Sequence, residues 1–378
     1  MQFSPEFIER RDRVRDAMAF KSTNGTPTVS TATGWQIYDS QHHFKDAYYN
    51  FKVLEQVITE YGTKYPFDCH FYTGTNYAFP VLDALGGGSY KLDPVTGAMS
   101  VEDHNYIFPE DYKEFAQNPQ KYMRVSFQRK FPDLTTEKFE KAVSEFMTFG
   151  RWARRAPTVF REVLKTPNTS QRNIMISLEY MNAGLRGIKD LSVDMRRHKA
   201  ALKEYTEAHW QQSVLPTVKA LGAAPKTEEH ICDFGTAMLA HSFMNVKQFE
   251  EFYWPHLKQI IDIAVANNKT IFVFCENSML RFKEFFQEVP KGVMILHLED
   301  DDIREVRKEL PNICLAGGMP IEHMGNGTKD QCMDDAKRLI DDMGEGYILG
   351  LTKIAAYKDD IKAENLSAVL DVCRNYKG

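Results

Sequence analysis

Glu276 and His297 are the residues whose types and placement first invite chemistry. Ile271–Cys275 is an apolar run that ends in Glu276-Asn277, and Met294–Leu298 is a second run that carries His297 and leads into Glu299. If these runs are neighbouring strands, their ends lie about 4.8 Å apart. A carboxylate and an imidazole so placed can share a divalent cation such as zinc, with one position open to substrate. They can equally divide acid and base duties, because a nearby carboxylate raises the histidine pKa. A structural hydrogen-bonded pair is the third reading. Cys275 adjoins Glu276 and is a candidate further ligand, since zinc favours thiolate. Adjacent strand residues face opposite sides, however, so a buried structural cysteine fits as well.

Three more residues join this list. Asp233 closes the run His230–Asp233 and is expected to finish the ligand set or touch substrate, with a loop hydrogen-bonder as the alternative. His241 and Tyr180 are candidate substrate contacts, against a solvated histidine and a tyrosine that only forms wall. His42-His43 and His70 resemble a metal cluster in composition alone, and His256, after Trp254-Pro255, reads as packing.

What must position these groups is a rhythm of short apolar runs and longer amphipathic segments. The runs are Thr26–Ser30, Phe67–Tyr72, Asn173–Leu178, His230–Asp233, Ile271–Cys275, Met294–Leu298, Ile313–Ala316 and Tyr347–Gly350. Most are apolar on both faces, as a parallel strand covered by helices should be. Helix patterns follow at Asn245–Asn267, Ser278–Gln287, Asp301–Leu310, Lys329–Met343 and Ala363–Arg374. Eight strands in βαβ order predict an α/β fold, a (β/α)8 TIM barrel with an N-terminal extension. Residues 73–172, with a helix near Thr136–Arg154, exceed any ordinary crossover and predict an insertion over the barrel mouth within one domain spanning 1–378. An open doubly wound sheet is the other architecture, but no G-x-G-x-x-G follows an early strand. Gly86-Gly87-Gly88 lacks the Lys-Ser/Thr of a phosphate loop.

Composition excludes several classes of function. A chain of 378 residues with 47 Lys plus Arg against 52 Asp plus Glu lacks the basic excess of a nucleic-acid surface. Six scattered cysteines without a C-x-x-C pair point to a reducing compartment. Met1–Met18 is dense in Arg and Glu, unlike a secretory signal, and the longest apolar runs fall short of a membrane span. The expected location is cytoplasmic. Aromatic residues at 12% suit an aromatic or methylated substrate and suit core packing equally.

Several motifs together carry a resemblance. They are Leu185-Arg186-Gly187, Tyr253-Trp254-Pro255-His256-Leu257-Lys258, Phe274-Cys275-Glu276-Asn277, Leu315-Ala316-Gly317-Gly318-Met319-Pro320, Gly344-Glu345-Gly346-Tyr347-Ile348-Leu349 and Glu364-Asn365. As a set they resemble the uroporphyrinogen decarboxylase superfamily, mainly over the second half of the chain. The resemblance implies a (β/α)8 barrel and one of two activities, porphyrinogen decarboxylation or methyl transfer involving a corrinoid on a partner protein. The Met-Arg-Gln-Ala-Gly-Arg-Tyr motif by which the decarboxylases bind substrate carboxylates has no counterpart near Thr26–Ser40. Thiol-methylating members hold zinc with a His-x-Cys pattern; here Val273-Phe274-Cys275 keeps the cysteine and lacks the histidine. The resemblance is therefore closest to the demethylating methyltransferases, with Glu276, His297 and Cys275 as the implied zinc ligands. The expected activity is removal of a methyl group from a small methyl ether or amine and its transfer to a corrinoid protein. A cofactor-free decarboxylase or lyase, with Asp233, Glu276 and His297 moving protons, is the alternative, and a non-catalytic binding protein the third. Neither nucleic acid nor membrane is an expected partner, and a homodimer is left open.

Overall fold

The computed structural model describes residues 2–71, 78–88, 90–93, 96–97 and 99–377. Its frame is a ring of parallel strands. In chain order these are β1 (Val29–Ser30), β2 (Cys69–His70), β3 (Asn168–Ser170), β4 (His230–Cys232, resuming after Asp233 as Phe234–Met238), β5 (Ile271–Cys275), β6 (Met294–Leu298), β7 (Cys314–Met319) and β8 (Tyr347–Leu351). Consecutive strands pair in parallel from β1 to β4 and from β4 to β8. Asp233 interrupts β4, but the chain runs straight on, and Asn173 bridges to Gly235 across the break. At the other seam Thr28 bridges to Leu349, and the Leu349 amide donates to the Pro27 carbonyl at 2.8 Å. The ring is therefore closed, and the expected (β/α)8 barrel is the observed fold.

Strand alternation divides the side chains into two layers. Val29, Cys69, Phe272, Phe274, Ile295, Cys314, Ala316 and Ile348 fill the lumen. Their neighbours Ile271, Val273, Cys275, Leu296, Leu298, Leu315 and Leu349 meet the surrounding helices. Both sets are buried, which explains why these runs read as continuously apolar. The N-terminal extension is helix α1 (Pro5–Met18), started by the Ser4 hydroxyl, which accepts from the Phe7 amide. Its Val14, Ala17 and Met18 plug the amino-terminal end of the barrel. Arg15 fastens the plug by donating to the Thr227 and His230 carbonyls at 2.6 and 2.7 Å.

Two strands depart from expectation. The third lies at Asn168–Ser170 and not at Asn173–Leu178, where Ser177–Tyr180 is already helical. Ile174, Ile176 and Leu178 are apolar because they pack in the outer core, and that alternation imitates a strand. The fourth runs past Asp233 to Met238. Tyr72, expected to end the second strand, lies outside the described residues, as do residues 73–77.

The segment between β2 and β3 carries a hairpin (Tyr90–Leu92 with Met99–Val101) and four longer helices, Phe79–Leu85, Tyr112–Gln117, Pro119–Lys130 and Thr136–Thr158. A buried ion pair of the chain after β3 reaches into this segment. Arg186 grips Asp194 with two bonds of 2.6 and 3.1 Å and donates to Asn105 and Ile107 of this segment. Among the described residues no helix is long and apolar enough to cross a membrane.

Candidate functional site at the barrel mouth

The register of β5 against β6 decides which side chains meet at the carboxyl end. Phe274 is paired with His297 and Cys275 with Leu298, so the next two residues to emerge side by side are Glu276 and Glu299. Phe274, His297, Glu276 and Glu299 share the lumen face, with the two glutamates one layer above the aromatic pair. Each step of two residues rises about 6.6 Å. The chain leaves β5 through Asn277, whose φ of 57° lies in the left-handed region that asparagine tolerates.

Below the glutamates is an aromatic floor. Phe71, next to β2, stacks on Phe274 with ring centroids 4.6 Å apart, and His297 stacks on the same ring at 5.1 Å. The imidazole is fully buried, and among the described residues neither ring nitrogen has a partner. Burial without a counter-charge lowers its pKa to about 3, so the ring is neutral. Gly350 on β8 leaves the room it occupies: a Cβ there would lie 3.2 Å from His297 Nε2 and 2.8 Å from Val29 Cγ1.

The glutamates are held differently. Glu299 is 7% exposed, accepts from the Ile354 amide at 3.2 Å and lies 3.4 Å from Lys353 Nζ. Burial pushes its carboxyl up and Glu276 pushes it further; Lys353 pulls the other way, and the outcome is about 7. Glu276 is half-buried, and its carboxyl is also raised, by burial and then by Glu179, against the pull of Lys353. Lys353 is shared, since it also pairs with Asp300. Behind them Glu179, fully buried, accepts from the Leu239 and Ala240 amides at 2.8 and 2.9 Å and from the Tyr253 hydroxyl at 2.7 Å. It thereby fixes the loop that follows β4. Asp301 does the same for the loop after β5, accepting from Ser278 and from the Met279 amide.

Of the residues singled out in the sequence, Glu276 stands at the mouth and His297 sits one layer beneath it. They are not the adjoining pair expected, because Glu299 takes the place beside Glu276. Cys275 points out of the barrel into the helical layer, where its Sγ lies 3.4 Å from Nε2 of His241. Both are buried and held neutral: burial drives the thiol well up and lowers the imidazole to about 4. His241 is thus neither solvated nor in the lumen. Asp233 lies at the opposite end of the barrel and accepts from Thr227 and from the amide and hydroxyl of Thr270, the residue before β5. Its loop-binding alternative holds. Tyr180 packs edge-on against His209 at 5.2 Å and remains 41% exposed. His70 is sealed among Tyr61, Phe67 and Phe160, while His43 caps the helix Phe44–Tyr49. His256 stacks on Trp210 as packing.

Glu276, His297 and Cys275 therefore do not form one ligand set for zinc. Among the described residues no three His, Cys, Asp or Glu side chains are grouped to hold a metal ion. What the mouth does offer is a pair of carboxyls, both raised by burial, above an apolar aromatic floor, with the Lys353 ammonium beside Glu299. Lys353 and Phe71 were not singled out by the sequence, and Glu299 was noted only as the residue the sixth run leads into, with no role assigned. Glu299 was within reach by parity, since it follows His297 by two as Glu276 follows Phe274.

Comparison with known proteins adds two findings. Residues 230–376 match the family model described as uroporphyrinogen decarboxylase (URO-D), a segment that runs from β4 through β8 and includes Glu276, His297, Glu299 and Lys353. The resemblance drawn from the sequence motifs is met over that segment. Among solved structures, a methyltransferase from Methanosarcina mazei is similar across 97% of this chain and 98% of its own, with a TM-score of 0.64 at 13% identity. That likeness is one of fold. No curated protein matches the chain in sequence.

Proposed function

From a uroporphyrinogen decarboxylase family match over residues 230–376, and a fold shared with a methyltransferase, we propose that this protein is itself a methyltransferase. It removes a methyl group from a small methyl ether or amine bound at the barrel mouth. The observation that carries the reading is the Glu276–Glu299 pair, two carboxyls that emerge together and are both raised by burial, Glu299 to about 7.

Loss of a methyl cation leaves electrons on the heteroatom. An oxygen must gain a proton to leave as an alcohol, and a nitrogen must already carry one to leave as a neutral amine. A carboxyl that titrates near 7 is half protonated at neutral pH, which is where a proton donor works best. Glu299 is assigned that proton, and Glu276 the orientation of the heteroatom beside it. Phe71 and Phe274 give the departing methyl group an apolar, water-poor surface. The methyl acceptor implied by the family resemblance is a corrinoid carried by a partner protein, for which the barrel mouth is the docking face. No step is assigned to zinc, because its expected ligands do not converge.

The decarboxylase alternative needs cationic groups to hold substrate carboxylates, and Lys353 is already paired with Glu299 and Asp300. The test is methyl transfer from a panel of methyl ethers and methylamines to a reduced corrinoid protein. Glu276→Gln and Glu299→Gln should each lower turnover by about 10²–10⁴-fold with the fold retained, as expected for loss of a positioned proton group. Full turnover by the double variant refutes the assignment.

A further inference from the structure

The long helix Thr136–Thr158 takes no part in the site at the mouth, and it carries apolar surface that its own chain does not cover. Thr135 caps its start by accepting from the Lys138 amide. Its inner face, with Ala142, Trp152 and Ala156, is buried, and Trp152 stacks on Phe51 at 6.1 Å. That face docks the helix. Yet Phe139, Val143, Phe146 and Met147 are 48%, 45%, 59% and 56% exposed. Exposed apolar residues are ordinary when scattered singly; four large ones on adjoining turns of one helix are a patch. Phe139, Val143, Phe146, Gly150 and Ala153 follow one another by four, three, four and three, the steps that hold a stripe to one line of a helix. The stripe lies about 100° round the helix from the buried face. The flank on the other side, with Ser144, Thr148 and Arg151, is polar.

Size and charge identify what covers the stripe. Along its length the side chains pass from large (Phe139, Val143, Phe146) to small (Gly150, Ala153), and a Cβ added at Gly150 meets nothing within 4 Å. An identical helix laid antiparallel beside it sets large against small in each layer, Phe146 into the space at the partner's Gly150 and Val143 against the partner's Ala153. In the same register the residues on the solvent side of the stripe are Glu140, Met147 and Arg154, spaced by seven. Glu140 then faces the partner's Arg154, Arg154 faces the partner's Glu140, and Met147 meets its own copy across the two-fold axis. Among the described residues neither Glu140 nor Arg154 makes an ion pair, whereas the neighbouring Arg155 is taken by Glu55 at 2.7 Å. A parallel pair loses both features. It leaves a gap between the two glycines and separates Glu140 from Arg154 by about 21 Å along the axis. The surface is complementary to itself. We propose that helix Thr136–Thr158 is a dimer interface, paired antiparallel with the same helix of a second copy of this chain. The pairing stands whatever reaction the barrel mouth carries out.

The experiment is sedimentation velocity of the full chain from about 1 to 200 µM. It should show a monomer–dimer equilibrium with a Kd of about 10 µM, because a single helix pair is at the small end of specific interfaces. Phe146→Glu should weaken it by at least about 100-fold, since the two-fold axis counts the loss twice. Gly150→Leu fills the space without touching its own chain, so it should weaken the dimer by about tenfold and leave the melting temperature of the dilute protein unchanged or raised. Glu140→Arg and Arg154→Glu should each weaken pairing by about tenfold, and the double variant should return to within about threefold of wild type, a recovery that general damage does not give. Cross-linking reads the register. All six native cysteines are buried, so a short bismaleimide reports introduced thiols. Met147→Cys should link two chains and Phe139→Cys should not, because the two copies of position 139 lie about 27 Å apart along the antiparallel pair. A protein still monomeric at the top of the concentration range overturns the proposal and leaves the stripe to a partner of another sequence. A dimer indifferent to Phe146→Glu, a charge-swapped double variant that does not recover, or efficient linking through Phe139→Cys overturns it as well.

Discussion

Replacing Glu299 by Gln should make the protein more stable at alkaline pH while leaving it nearly unchanged in acid. The side chain is buried at the mouth, and its carboxyl is raised from 4.5 to about 7 in the folded state. A raised carboxyl is one whose folded form holds its proton more tightly. Its contribution is therefore fully present below the unfolded value of 4.5 and is lost as pH rises through about 7. Each pKa unit is worth 1.36 kcal/mol, so the complete loss is about 3 kcal/mol. Between pH 5 and pH 8.5 the loss is about 2.5 kcal/mol, and glutamine, with the same shape and no charge to desolvate, avoids it. For a chain of 378 residues the unfolding entropy is about 0.8 kcal/mol per kelvin, which converts this to roughly 3 °C in Tm. The assay is a pair of thermal melts, wild type and Glu299→Gln, across that pH range. Their Tm difference should grow by about 3 °C in favour of the variant from pH 5 to pH 8.5. A difference that stays flat, or moves towards the wild type, refutes the claim that burial and Glu276 outweigh Lys353 at this carboxyl.

Three further outcomes follow from other parts of the barrel. Gly350→Ala places a methyl 2.8 Å from Val29 Cγ1 and 3.2 Å from His297 Nε2, and should cost about 1–3 kcal/mol in urea unfolding; an unchanged midpoint contradicts the tight lumen. His70, His209, His241 and His297 are buried with pKa values lowered to about 3 or 4, so the unfolded chain takes up protons that the folded one refuses as pH falls below 6.5. Each contributes roughly 2 kcal/mol of lost stability by pH 5, which exceeds the opposite trend from Glu299, and the denaturant midpoint should drop steeply over that interval. Arg186→Met leaves Asp194 buried without its cation and removes the donor to Asn105 and Ile107, and should destabilise by about 3–5 kcal/mol; a melt within 1 °C of wild type removes Arg186 as a tether of the segment between β2 and β3.

The barrel was legible in the sequence because parallel strands sheathed by helices are apolar on both faces, and β5, β6 and β8 fell within a residue of the expected bounds. β3 was not, because Asn168-Thr169-Ser170 is polar and earns its place by backbone pairing alone. Glu276 was found through its position after a strand. Its partner was misassigned because proximity of strand ends does not fix height within the barrel: only the register, Phe274 opposite His297, puts Glu299 beside it. Asp233 misled for a related reason. It reads as the end of a strand, yet it is a hydrogen-bonded break within one. Lys353 lies beyond β8, where no periodic signal survives, and its role depends on a chain that folds back over Glu299 through the Ile354 amide.

The seam between β1 and β8 has a consequence for how the molecule is made. Thr28 meets Leu349, the Thr26 amide donates to the Cys373 carbonyl at 2.7 Å, and α1 is pinned through Arg15 to residues more than 200 positions later. β1 must therefore wait for β8, with that edge of β1 unpaired until β8 has been synthesised. Contacts so distant along the chain are slow to form. Assembly of this protein is a problem of keeping an exposed strand edge from the wrong neighbour until its own final turn arrives.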